Sequence, residues 1–255
     1  MTTSAPSKRN AVYTIPAGVP FAKALVNGIN EVADDPADIA RALVLVPSRR
    51  AARALRLAFL EANEKQPMLL PRMLPIGDVD EDDPALFELE LGGDGIVDIP
   101  PAINKLRRQM MLARLLEGFA LGGQRPTFGG AMMLASALGD LLDQVTTVGS
   151  DLSQLRDMLP DRFSQHWQDI MVLLNLLVDR WPDILAGEGV IDLAVRRELL
   201  ARARIAAWQA TPPEGLVIVA GSTGTFAATR DLIACVAGLA RGHVVLPGLD
   251  RGASA

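Results

Sequence analysis

Ser48, Arg49, Arg50, Arg53 and Arg56 lie together in the stretch ALVLVPSRRAARALRLAFLEAN, and their types and spacing suit the capture of an anion. At about 100° per residue, Arg49, Arg53 and Arg56 fall on one helical stripe. Ala51, Leu55, Ala58, Phe59 and Ala62 fall on the opposite face. Such a helix can pack its apolar face on a sheet and turn its cationic face outward. Ser48 is a good N-cap, and the amides at a helix start favour an anion, most often phosphate. The cationic face is therefore expected to meet an anion, and a contact to phosphate positions its ligand without reading sequence.

Two glycine turns could also serve phosphates. Ala11 to Ile15 is β-prone, Pro16-Ala17-Gly18 is a turn, and Phe21 to Ala33 reads as a helix with Phe21, Leu25, Ile29 and Val32 inside. That is the layout of a phosphate-binding loop without its chemistry: Pro20 lacks an amide hydrogen and Lys23 is not followed by Ser or Thr. Ala17, Gly18 and Lys23 are accordingly a degenerate nucleotide loop. Gly221-x-x-Gly224-x-x-Ala227 resembles the dinucleotide-binding turn of short-chain dehydrogenases, with Asp250 as ribose partner. The sole tyrosine, Tyr13, precedes that turn, and few residues follow Asp250, so an NAD(P)-binding Rossmann protein is a minor alternative. Asp78, Asp80, Glu81, Asp82 and Asp83 lack calcium-loop spacing and read as a solvated acidic loop, with no metal ligands assigned. His166 has no metal-ligand neighbours at suitable spacing, and no catalytic residue is assigned.

The elements that must hold these residues follow from composition and periodicity. Hydrophobic residues form 49% and charged residues 22% of the 255, a globular balance with length for a sizeable core. A net charge of −5 excludes a surface that attracts polyanions everywhere, so nucleic acid must meet a local patch. No run approaches the roughly 18 apolar residues of a membrane span, and MTTSAPSKRN lacks the form of a signal peptide. The expectation is a cytoplasmic protein with no membrane partner. Cys235 stands alone among apolar neighbours, which excludes an internal disulfide framework and reads as a buried small side chain.

Leu43 to Val46 is a buried strand stopped by Pro47, and Met68 to Asp78 is an extended edge segment interrupted by Pro71 and Pro75. From Ile103 to about Ala210, helical periodicity takes over. The stripes are Ile103, Leu106, Met110 and Ala113; then Met133, Ala137, Leu138, Leu141 and Val145. Trp167, Ile170, Met171, Leu174, Leu177, Val178 and Trp181 follow, and then Leu193, Leu199, Leu200, Ala203 and Ala207. Arg107 and Arg108 belong to a wet helix face. Strand Leu216 to Val219, helix Phe226 to Leu239 and strand His243 to Leu246 restore the alternation. The expected class is α/β, a parallel sheet with an inserted all-helical subdomain, divided as 1–100, 101–212 and 213–255.

Seven segments carry a family resemblance over nearly the whole chain: VYTIPAGVPF, LVLVPSRRAARALRLAF, LLPRMLPIGDVDEDD, PPAINKLRRQMMLARLL, QHWQDIMVLLNLLVDRWPDIL, VIVAGSTGTFAATRDLI and VVLPGLD. They resemble the N-terminal part of the AddB family in its alphaproteobacterial form. AddB proteins partner AddA in a heterodimeric ATP-dependent helicase-nuclease of recombinational double-strand break repair. The resemblance implies an N-terminal fragment of a longer protein, folded like the first lobe of a superfamily 1 helicase, a degenerate P-loop NTPase-like lobe with a helical insertion.

By that resemblance Ala11 to Gly18 takes the place of the ATP-binding loop, and Ser48-Arg49-Arg50 that of the motif gripping single-stranded DNA. Ala220-Gly221-Ser222 stands where an active helicase carries its magnesium-binding Asp-Glu pair. Both ATPase positions depart from the active pattern, so the implied lobe has no catalysis and no cofactor of its own. ATP and magnesium then act in the partner subunit, and an iron-sulfur cluster belongs to the family's C-terminal region. The implied partners are an AddA-type subunit and DNA, as single strand and duplex ends. The competing reading is an interaction scaffold that docks AddA without touching DNA.

Overall fold

The computed structural model describes residues 11–64, 66–76, 99–120, 124–149 and 173–249. In chain order the elements are β1 (Val12–Ile15), α1 (Phe21–Val32), α2 (Pro36–Arg41), β2 (Leu43–Val46), α3 (Arg49–Ala62) and β3 (Arg72–Pro75). Then come α4 (Lys105–Glu117), α5 (Phe128–Val148), a π-helical turn over Leu176–Arg180, α6 (Trp181–Gly187) and α7 (Leu193–Ala210). The chain closes with β4 (Val217–Ala220), α8 (Ala227–Gly238) and β5 (Gly242–Pro247). They form two compact units. One takes the described residues within Met1–Asp80, Arg204–Thr225 and Thr229–Ala255; the other takes those within Glu81–Ala203 and Phe226–Ala228.

The first unit is α/β, built on a five-stranded sheet of order β1-β5-β4-β2-β3 in which every pairing is parallel. The sequence LVLV of β2 and VIVA of β4 is buried at all positions, as central strands covered on both faces require. β1 and β3 lie at the margins with mixed exposure, and Pro71 and Pro75 bracket β3 where a missing amide is tolerated. Strand alternation sorts the side chains. Val44, Val46, Ile218 and Ala220 pack with Leu25, Val26 and Ile29 of α1 and with Ala52, Leu55 and Phe59 of α3. Leu43, Leu45, Val217, Val219 and Val244 pack on the other side with Trp208 of α7 and Leu232 and Val236 of α8. Each fully buried Leu or Phe contributes about 1.5–3 kcal/mol.

Two inner stripes are shifted from expectation. Val32 is exposed at the end of α1, and Val26 is buried instead. On α3, Ala62 is exposed and Ala52 is buried. In both helices the buried positions are those that pack with Val44, Val46, Ile218 and Ala220 of the sheet.

A clamp ties the amino edge of this sheet. Arg241, just before β5, donates to both carboxylate oxygens of buried Asp38, at 2.9 and 2.6 Å, and to Asp34 at 3.2 Å. Asp35 caps α2 by accepting from the Asp38 amide, and the Asp34 amide donates to Asp38. Hydrogen bonding from Arg241 holds the Asp38 carboxyl below the usual carboxylate range, against the opposing effect of burial.

The second unit is helical, and its phase differs from the periodicity reading. Leu106 and Met110 of α4 are 60% and 47% exposed, and Met133 of α5 is 78% exposed, with Ala137 also outward. The faces that meet carry Leu112, Ala113 and Leu116 from α4 and Ala131, Ala135, Leu138 and Leu142 from α5. Arg108 explains the rotation. Expected on the wet face, it is buried and reaches Asp143 at 2.9 Å and Asp192 at 2.7 Å. Trp181 donates its indole N–H to Asp192 at 2.9 Å, and Gly139 leaves room beside the guanidinium. Turning Leu106 inward would strand those carboxylates, which costs more than exposing two apolar side chains. Burial pushes the Asp192 carboxyl up, and Arg108 opposes that shift. The predicted stripe positions Trp167, Ile170 and Met171, together with His166, lie outside the described residues.

Candidate nucleic-acid interface

Parallel strands all deliver their following loops to one edge. At the carboxyl edge of this sheet the loops after β1, β2, β4 and β5 therefore meet. From β2 the chain steps outward through α3 to β3, while from β4 it steps the other way through α8 to β5. This divergence between neighbouring strands is a topological switch point, where open α/β sheets bind ligands.

Pro47 ends β2, and Ser48 caps α3 by accepting from the Ala51 amide at 3.2 Å. With Ala52, Leu55 and Phe59 held against the sheet, Arg49, Arg50, Arg53 and Arg56 are all exposed. From Arg49 to Arg56 the ridge covers about 10 Å of helix axis at about 1.5 Å per residue. Leu57 and Leu60 share this outward side and are 54% and 39% exposed. The ridge is thus mixed, cations interleaved with aliphatic side chains. Neither leucine belongs to the expected stripes, although at about 100° per residue Leu60 falls between Arg49 and Arg53 and Leu57 between Arg53 and Arg50.

The loop Pro16 to Pro20 is exposed, as is Lys23. Gly18 has φ +89°. Ala17 lies near Gly248, whose amide donates to the Ile15 carbonyl at 2.8 Å. The next amide, Leu249, donates to the Thr14 hydroxyl at 2.9 Å, so the loop after β5 hooks over β1. Gly221 has φ +77°. The position its Cβ would take lies 3.5 Å from the Phe21 ring and 3.7 Å from Pro47. Phe21 thus joins the first and third expected loops to the start of α3. The sequence pattern places it only on the inner stripe of α1.

Among the described residues, the loops of this edge lack the groups that hold a magnesium nucleotide. Pro20 takes the place of an amide at the start of α1, where its side chain makes no cap hydrogen bond. Ala220, Gly221 and Ser222 supply no carboxylate after β4. The Cβ side of Gly221, where a dinucleotide turn admits close backbone approach, is taken by Phe21 and Pro47. Asp250 and the acidic run Asp78 to Asp83 lie outside the described residues. Among the described residues no three His, Cys, Asp or Glu side chains gather as a metal site. Among the same residues no helix is long and apolar enough to cross a membrane. Cys235 is partly buried, and burial pushes its thiol up, away from the reactive thiolate.

No protein-family model matches the chain, and no curated protein matches it.

Proposed function

We propose that the chain is a non-hydrolysing, helicase-like lobe of an AddB-type subunit, and that it holds a DNA strand by its phosphates along the α3 ridge. The supporting observation is the exposure of Arg49, Arg50, Arg53 and Arg56 beside the Ser48-capped helix start, at a switch point of a parallel sheet. Electrostatic grip and amide donors act together there. On this reading ATP and magnesium work in an AddA-type partner, because the Gly18 and Gly221 loops lack the groups that would hold them. The lobe guides DNA as single strand or at duplex ends and performs no chemistry itself.

The test is binding of a mixed-sequence single-stranded oligonucleotide across a salt series, comparing wild type with the triple variant Arg49→Ala, Arg53→Ala, Arg56→Ala. Three neutralised phosphates give a slope of log K against log salt of about −2 for single strands. Affinity then drops about 15- to 20-fold between 50 and 200 mM salt. The triple variant flattens the slope by about 2, leaving the contribution of Arg50, with little dependence on base sequence. Equal slopes in both proteins would refute the DNA role.

A second reading has its own observation. Exposed Leu57 and Leu60 within the ridge suit docking of a protein surface, as in a scaffold for the AddA partner. Leu57→Ser with Leu60→Ser separates the two: loss of partner association with an unchanged salt slope supports docking.

A further inference from the structure

A cavity of about 180 Å³ lies between α1 and the sheet, under the second half of that helix. Tyr13, Gly28, Ile29, Glu31, His243 and Val245 are among the residues that line it. All belong to the first unit. A cavity of about 150 Å³ suffices for benzene, so the volume suits one small ring. The Tyr13 and His243 rings stand with centroids 5.7 Å apart at 38°, giving the wall two aromatic faces.

Gly28 is the telling residue. It sits inside α1, where glycine costs about 0.5–1 kcal/mol relative to alanine. Packing does not require it, since nothing stands within 4 Å of the place its Cβ would take. Its effect is to leave the cavity open. The polar groups of the wall are the Glu31 carboxylate, the Tyr13 hydroxyl and the His243 imidazole, and the last turn of α1 brings no basic residue, so Glu31 is the charge on this helix end that a cation would meet. An aromatic face adds attraction for a cation.

We infer that this cavity is a binding site for a small organic cation with a flat apolar body, of the arylamidinium or arylammonium class. The flat body enters between Tyr13, Ile29 and Val245, and the charge faces Glu31 and the end of α1. This site is separate from the α3 ridge and does not rest on the DNA reading.

The experiment uses the full chain and two probes, benzamidine and its neutral counterpart benzyl alcohol, followed by calorimetry and by NMR of the Tyr13 and His243 ring protons. Wild type is expected to bind benzamidine at one saturable site, more tightly than benzyl alcohol, with both rings shifting. Gly28→Leu, which fills the opening and favours the helix, is expected to abolish binding of both probes while far-UV circular dichroism is unchanged. Glu31→Gln is expected to weaken benzamidine about fivefold and leave benzyl alcohol unchanged. Absence of saturable binding, ring protons that do not respond, or binding retained in folded Gly28→Leu would overturn the site. Equal affinity for the two probes, or no effect of Glu31→Gln, would overturn the cationic class.

Discussion

Replacing Arg241 by alanine tests the clamp at the amino edge of the sheet. The guanidinium makes two hydrogen bonds to Asp38 and one to Asp34, and Asp38 is 2% exposed whereas Arg241 is 33% exposed. A hydrogen bond to a charged group contributes about 1.5–3 kcal/mol, and the partial exposure of Arg241 places the loss near the lower end, about 2 kcal/mol. Asp38 would keep the Asp34 amide and Arg41 at 4.0 Å, which limits the damage. Urea unfolding at neutral pH should show this loss as a lower midpoint with an unchanged slope. The pH dependence gives the sharper check. Asp38 has a folded pKa below its unfolded value, so its contribution is present above about pH 4 and is lost as pH falls through the depressed value. The gap between wild type and Arg241→Ala should therefore be widest near pH 7 and shrink below about pH 4. In an Asp38→Asn background, Arg241→Ala should cost little. A gap that stays constant down to pH 3, or a full cost in the Asn background, would refute the assignment of this stability to the Asp38 charge.

Arg108→Ala leaves Asp192 buried without its cation and should destabilise the helical unit by about 3–5 kcal/mol, measured by thermal or urea unfolding, while Arg107→Ala stays near neutral. Because burial raises the Asp192 pKa, its charge opposes folding: that cost is absent below the unfolded pKa and grows as pH rises through the folded value. In Arg108→Ala the cost should deepen as pH rises above about 4, the unfolded carboxylate value. Ser48→Ala removes the α3 cap and should cost about 1 kcal/mol, with the DNA salt slope retained. Gly221→Val forces a branched residue to φ +77° beside Phe21 and Pro47 and should destabilise by at least about 1–2 kcal/mol, seen as a lower Tm.

Much of the α/β unit was legible in the sequence because local signals bound its elements. Leu43 to Val46 is an unbroken apolar run stopped by Pro47, and Ser48 supplies the cap three residues before the amide it accepts from. The exposure of Arg49, Arg53 and Arg56 follows from their opposition to Leu55 and Phe59. The helical unit was less legible, because α4 is apolar on two sides. Leu106 and Met110 compete with Leu112 and Leu116, and periodicity cannot rank them. The choice is made by Arg108 with Asp143 and Asp192, partners 35 and more residues away in the chain. Distance also hid the Phe21 contact with Gly221 and the Arg241 fork on Asp38, whose partners are joined only by the sheet.

The pairing of β1 carries a consequence for biosynthesis. Val12 to Ile15 finds its described neighbour only in β5, at Val244 to Pro247, so β1 is completed by a strand made long after it. At about 5–20 residues per second, its hydrogen-bonding groups wait roughly ten to fifty seconds on the ribosome before that neighbour exists. During that interval the backbone groups of Val12 and Tyr13 lack their β5 partners, the condition in which an unpaired strand templates wrong pairing. Moving the β1–α1 segment behind β5 by circular permutation should shorten the wait and raise the soluble yield.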